Sequence, residues 1–220
     1  MLKYKCLVFD HDDTVVNSTP EIHFPVFEKT LSLLRPNIKM SLEEYTMYSF
    51  EPGFYNLCTE ILKFTEKELE FQLAIWQETV KNLIPSYFEG FDKIIEQQKN
   101  AGGSVCVVSH SFSEVIKRDY KALFGMEPDI VFGGELGEDK RKPSPYPLLE
   151  IMRILDLRPC DLIMVDDLKP GLDMAKACGV DFAYAGWSSK VPQIAEYMRK
   201  NSDFNFDTTY EFQKFLDFCR

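Results

Sequence analysis

The sequence predicts an α/β protein: a Rossmann-like parallel sheet with helices on both faces, interrupted early by an all-helical insert. Three observations carry this prediction. Short apolar runs at 3–9, 104–108 and 162–165 each end abruptly in polar residues, as buried strands of a parallel sheet do. Helical patterns separate those runs, which is the alternation of βαβ units. Residues 20–84 keep helical spacing with no strand pattern, so they form a helical unit of their own.

Each element has its own signal. Residues 3–9 form the first strand, which runs into Asp10, Asp12, Asp13 and Thr14. Thr19-Pro20 opens the first helix, with Thr19 as N-cap, and Ile22, Val26 and Leu34 mark its apolar face. Ser41-Leu42-Glu43-Glu44 and Thr65-Glu66-Lys67-Glu68 read as capping boxes. Phe54, Leu57, Cys58, Ile61 and Leu62 follow the first box. Leu69, Leu73, Trp76, Val80 and Leu83 follow the second as a stripe expected to be core. Phe91, Ile94 and Ile95 mark a helix that stops near Gly102-Gly103. After the 104–108 strand, Ser111-Phe112-Ser113-Glu114 reads as a third capping box. Residues 129–132 form a short strand, and Leu148, Met152 and Leu155 lie on the next helix. The 162–165 strand leads to a helix over 171–178 stopped by Gly179, then a strand over 182–185. Two more helices carry Val191, Ile194, Ala195 and Met198, and Phe212, Phe215, Leu216 and Cys219. The expected division is a core over 1–16 and 86–220 and a helical insert over 17–85.

Composition narrows the function. With 220 residues and 45% hydrophobic content, the chain can bury one large core and a smaller insert. A net charge of -10 argues against nucleic-acid binding through a basic surface. A negatively charged substrate would need a local cation. The six cysteines form no C-x-x-C pair, which suits free thiols in a reducing compartment. The first residues enter a strand directly, and no apolar run reaches the length of a membrane span. A cytoplasmic monomer or homodimer, without membrane or nucleic-acid partners, is expected.

The candidate site is the set Asp10, Asp12, Ser109, Lys142, Asp166 and Asp167. Its members follow strands or precede helices, at the sheet edge where open α/β folds bind ligands. Several buried carboxylates together are costly unless a cation or a proton compensates. These motifs resemble the haloacid dehalogenase superfamily. Asp10-His11-Asp12-Asp13-Thr14 matches its D-x-D-G-T motif, and Ser109 matches its strand-end hydroxyl. Lys142-Pro143-Ser144-Pro145 matches its lysine run, and Asp166-Asp167 ahead of Gly171 matches its acidic pair. The insert is similar to the family's helical C1-type cap, so the resemblance covers essentially the whole chain.

The resemblance implies a Mg²⁺-dependent phosphatase of a small phosphorylated metabolite. Asp10 would be the nucleophile, forming an aspartyl-phosphate, and Asp12 the general acid and base. Ser109 and Lys142 would hold phosphate oxygens, with His110 lining the pocket. Asp10, Asp167 and Asp166 would bind the metal through side chains, and Asp12 through its backbone carbonyl. A β-phosphoglucomutase-like transferase would use the same groups. Asp12 argues against dehalogenase and phosphonate-cleaving members, which lack it. A receiver-like signalling domain would place its acid pair ahead of the Ser/Thr and Lys, and would lack the insert. A silent phosphate-binding protein would have no need of Asp12. Two residues depart from the pattern: Asp13 stands at the usual Gly, and His11 at a usually apolar position. In the insert, the break at Ser49-Phe50-Glu51-Pro52-Gly53 offers Glu51 and Tyr55 as specificity residues.

Overall fold

The structure is a computed structural model that describes residues 2–188 and 191–218, the last by its backbone only. Cys219 falls outside them. The chain divides into two compact units, Met1–Val16 with Tyr87–Arg220, and Asn17–Ser86.

The first unit opens with β1 (Cys6–Phe9), and the chain then enters the helical unit. The ends of that unit are tied to each other. The Asn17 N–H donates to the Ser86 carbonyl at 2.8 Å, and the Ser86 N–H to Glu21 Oε2 at 2.8 Å. A π-helical turn (Thr19–His23) runs into α1 (Phe24–Leu34), followed by α2 (Leu42–Phe50) and α3 (Phe54–Asn56). A second π-helical turn (Leu57–Ile61) precedes α4 (Glu66–Val80). Phe27, Leu31, Tyr45, Leu57, Cys58, Leu62 and Phe64 form a core within this unit.

Both capping boxes of the unit form. The Ser41 and Thr65 hydroxyls accept the N–H of Glu44 and Glu68, whose carboxylates accept the N–H of the cap residues. Thr19 is not an N-cap. It lies inside the first turn behind Ser18, and no side chain caps that turn. Pro20 has no N–H to be capped there. The stripe on α4 is not wholly core either. Leu73 is 42% exposed, Leu83 lies beyond the end of the helix, and the buried residues of α4 are Gln72 and Val80.

The chain re-enters the first unit through α5 (Phe91–Asn100), β2 (Ser104–Val108), α6 (Ser113–Phe124) and β3 (Ile130–Phe132). It continues with α7 (Tyr146–Leu155), β4 (Leu162–Asp166), α8 (Lys169–Cys178) and β5 (Asp181–Ala185). It ends with α9 (Pro192–Asn201), β6 (Phe204–Phe206) and α10 (Thr209–Phe218). The sheet order is β3-β2-β1-β4-β5-β6, every pairing parallel. Strand β6 has no sequence signal, being three residues with a polar centre at Asn205.

Alternation along the strands sorts the two faces. Leu7, Phe9, Val105, Val107, Ile163 and Val165 share one core with Phe91, Ile94 and Ile95 of α5, Ile116 and Tyr120 of α6, and Phe212 of α10. The intervening residues Cys6, Val8, Cys106, Met164 and Phe182 are equally buried, and α8 packs against β4 and β5. Cys6, Cys58, Cys106, Cys160 and Cys178 are free thiols. Among the described residues, no helix is long and apolar enough to cross a membrane.

Between β1 and the helical unit lies a tight turn. The His11 carbonyl accepts the N–H groups of Val15 and Val16 at 3.0 and 3.1 Å, and the Asp13 N–H donates to Val16 O at 2.7 Å. The Trp187 indole N–H holds the Thr14 carbonyl at 2.9 Å. Asp13 has φ +57° here, the left-handed region. That accounts for Gly as the usual residue at this position and for Asp as an acceptable one, because a short polar side chain tolerates this conformation. Asp13→Gly is expected to melt at or above wild type in a urea titration. Asp13→Val should cost roughly 1–3 kcal/mol, because a β-branched side chain is strained there.

Candidate active site

Parallel pairing brings the strand ends to one edge. Phe9 stands opposite Val165, and the Asp10 N–H extends that ladder to Val165 O at 2.9 Å. Asp10 and Asp166 are thus next in register on adjacent strands. Two like charges side by side and buried require a counter-charge.

Lys142 supplies it. Its ammonium donates to Asp166 Oδ2 at 2.7 Å. It also lies 2.8 Å from Asp10 Oδ1, an ion-pair contact off line for a hydrogen bond. All three residues are buried. Burial alone would lower the Lys142 pKa, but Asp10 and Asp166 outweigh it and hold the ammonium above lysine's ordinary value. Burial pushes the Asp166 carboxyl up to about 7, and the charge of Asp10 adds to this while Lys142 opposes it. Asp166 Oδ1 accepts the Leu168 N–H at 2.8 Å, which fixes the carboxylate plane.

Asp167 is also buried, and its Oδ1 has no hydrogen-bond partner. Burial, then the charges of Asp166, Asp13 and Asp10, hold its carboxyl well above the usual range. One oxygen each from Asp10, Asp166 and Asp167 lies within 4.8 Å of the others. Three carboxylates against one ammonium leave a formal charge of -2. An orphaned oxygen, raised pKa values and an all-oxygen donor set fit a hard divalent cation.

Asp12 is turned elsewhere, and its carboxylate is not part of this cluster. Its Oδ2 accepts the Ser111 hydroxyl at 2.6 Å and the Ser109 hydroxyl at 3.2 Å. Ser109 Oγ in turn accepts the Ser111 N–H at 3.2 Å. His110 Nε2 donates to the Lys142 carbonyl at 3.1 Å, so its ring engages the backbone of the lysine loop. The structure therefore brings Asp10, Lys142, Asp166 and Asp167 together, with Asp12 and Ser109 beside one another and His110 against Lys142. Glu51 and Tyr55 belong to the helical unit. Glu51 ends α2, its N–H bonded to Met47 O at 2.9 Å, and Tyr55 on α3 is 60% exposed.

Ser111 is the residue that sequence reasoning assigned to another task. It is not a helix cap, since Phe112 occupies the N-cap position of α6 without a side-chain cap bond. The carboxylate of Glu135 fills the capping role, accepting the Ser113 N–H at 3.1 Å and the Ser113 hydroxyl. Nothing local could reveal this, because Glu135 lies on a separate loop. Gly171 is a further site residue. A Cβ there would overlap the Asp166 carboxylate. The Gly of the fourth motif thus makes room for Asp166.

Comparison with known proteins identifies the family. The family model described as haloacid dehalogenase-like hydrolase matches residues 7–185, so the chain belongs to that family and is an enzyme, a hydrolase. The chain is 28% identical to phosphoglycolate phosphatase of Aquifex aeolicus, over 97% of each protein. It is 22% identical to β-phosphoglucomutase of Bacillus subtilis, over 94% of each. The crystal structure of CbbY from Rhodobacter sphaeroides in complex with phosphate superimposes with a TM-score of 0.73 at 20% identity, covering 94% of this chain and 95% of that one.

Two outcomes follow. Lys142→Met leaves Asp10 and Asp166 without their shared cation, and should lower metal-free stability by about 3 kcal/mol in urea unfolding. Added divalent cation should recover more of that loss than it adds to wild type. Gly171→Ala should keep the fold but displace Asp166, weakening divalent-cation binding about 10–100-fold by calorimetry.

Proposed function

We propose that this protein is a Mg²⁺-dependent phosphatase that hydrolyses a small phosphorylated metabolite through a phosphorylated Asp10. The observation that carries the reading is the buried Asp10–Lys142–Asp166–Asp167 cluster beside a second carboxylate, Asp12, held by two hydroxyls. Two carboxylates in different surroundings suit different roles, one as nucleophile and one as proton carrier.

Asp10 attacks phosphorus, and the bond to the leaving oxygen breaks as Asp12 gives that oxygen a proton. Asp12, now a carboxylate, takes a proton from water, whose oxygen attacks the phosphorus and returns Asp10 as a free carboxylate. Ser111 and Ser109 orient Asp12 through its Oδ2. Lys142, with His110 beside it, binds the phosphoryl oxygens as a buried positive charge, and Ser109 would turn its single O–H from Asp12 to a phosphoryl oxygen as the substrate arrives, leaving Ser111 on Asp12. Mg²⁺ would be held by Asp10, Asp166 and Asp167 with the Asp12 backbone carbonyl, and would neutralise charge on the nucleophile and the phosphoryl group.

The catalytic groups all belong to the unit of Met1–Val16 and Tyr87–Arg220, so selectivity is assigned to the helical unit, acting as a cap. Glu51 and Tyr55 are its candidate specificity residues. Replacing both by Ala should change relative efficiency among metabolites more than turnover of p-nitrophenyl phosphate. An equal change on both kinds of substrate removes them from that role.

The direct test is a screen of phosphorylated metabolites, including phosphoglycolate and a hexose 1-phosphate, with Mg²⁺ and with excess chelator. Phosphate release that stops on chelation, returns with Mg²⁺ and falls at least about a thousandfold in Asp10→Asn is expected. The Bacillus subtilis relative makes isomerised hexose phosphate, without net phosphate release, the result that would move the protein to the mutases. Full activity in excess chelator would refute the metal-dependent reading.

A further inference from the structure

His11 and Asp119 are buried polar residues that the reaction above does not use. His11 Nε2 lies 3.2 Å from Asp119 Oδ2, and both side chains are almost wholly enclosed. The other oxygen of Asp119, Oδ1, accepts Arg118 Nε at 2.9 Å and Nη2 at 2.6 Å. The His11 ring packs beside Tyr120, centroids 5.9 Å apart, and its Nδ1 has no partner. Such a pair contributes little stability. Replacing buried polar pairs by hydrocarbon is often neutral or stabilising, and an orphaned ring nitrogen adds cost.

Position explains what the pair does. His11 lies between Asp10 and Asp12, on the opposite parity, with Leu7 and Phe9 toward α6. Asp119 sits on α6, the helix that follows Ser109 and Ser111. The pair therefore joins the Asp10–Asp12 loop to the segment that supplies both hydroxyls to Asp12. The His11 carbonyl also anchors the turn through Val15 and Val16. A hydrocarbon at 11 would fill the space but set no direction, whereas a hydrogen-bonded ring does.

We infer that the buried His11–Asp119 pair is a positioning device that aligns Asp12 with Ser109 and Ser111 for proton delivery to the leaving oxygen. The inference rests on the phosphatase reading above. It makes His11 and Asp119 matter in proportion to how much the leaving group needs a proton.

The test compares kcat/KM for p-nitrophenyl phosphate, whose leaving oxygen needs no proton, with that for benzyl phosphate, whose leaving alkoxide does. The proteins are wild type, Asp119→Asn, the double variant His11→Phe/Asp119→Leu, and each of these combined with Asp12→Asn. The double variant removes the His11–Asp119 pair but also takes from Arg118 the carboxylate to which it donates, so a single cooperative unfolding transition is the control that the fold is kept. Asp119→Asn keeps an acceptor for His11 and should lose less activity than the double variant. In the double variant, kcat/KM for benzyl phosphate should fall about tenfold or more, up to the 10²–10⁴ that a general acid supplies in full. For p-nitrophenyl phosphate it should fall less than about twofold. In the Asp12→Asn background the pair should add no further discrimination. Equal loss on both esters, or discrimination that persists without Asp12, overturns the inference and leaves the phosphatase reading intact. Wild type that hydrolyses neither ester refutes the phosphatase reading itself.

Discussion

The shared ion pair of Lys142 with Asp10 and Asp166 is the constraint on which the site depends. Parallel pairing of β1 and β4 forces two carboxylates into adjacent positions at a buried edge. Without Lys142 that arrangement would be strongly unfavourable. With it, the lysine loop is drawn into the sheet edge, and His110 closes against the carbonyl of the same residue. One ammonium still does not balance three acids. The residual negative charge suits a divalent cation, and the proposed reaction would use that cation against a negatively charged substrate.

Asp10 and Asp12 are two residues apart yet meet different surroundings. Asp10 faces an ammonium and two other carboxylates. Asp12 faces hydroxyl donors from the loop after β2. The two hydroxyl donors fix the direction of the Asp12 carboxylate through Oδ2. Asp12 lies in the turn between β1 and the helical unit, next to Asp13 in its left-handed conformation.

The division into two units has a chemical reading as well. The helical unit has its own apolar core and a clasp between Asn17, Glu21 and Ser86 at its ends. It can therefore vary in sequence without disturbing the strand ends to which the chemistry is assigned in the proposal. That separation is what the proposal of cap-borne selectivity relies on.

The sequence by itself determined the α/β class, because strand and helix periods are local and run the length of each element. It also singled out Asp10, Ser109, Asp166 and Asp167 as strand-end residues, because strand ends in a parallel sheet share one edge, and proposed Lys142 from its run Lys142-Pro143-Ser144-Pro145. The capping boxes at Ser41 and Thr65 were legible because donor and acceptor lie three residues apart. Tertiary structure alone decided the rest. Strand β6 exists because β5 offers it an edge, not because three residues prefer to be extended. Ser111 gave up a helix cap for Asp12, which lies 99 residues away, and Glu135 took its place across 22. His11 found Asp119 across 108 residues. Leu73 kept its place on α4 yet packing left it exposed, and Leu83 fell beyond the helix end. In each case the deciding partner is distant in the chain, and a side chain's choice between a near partner and a far one is made only when the far one is brought to it.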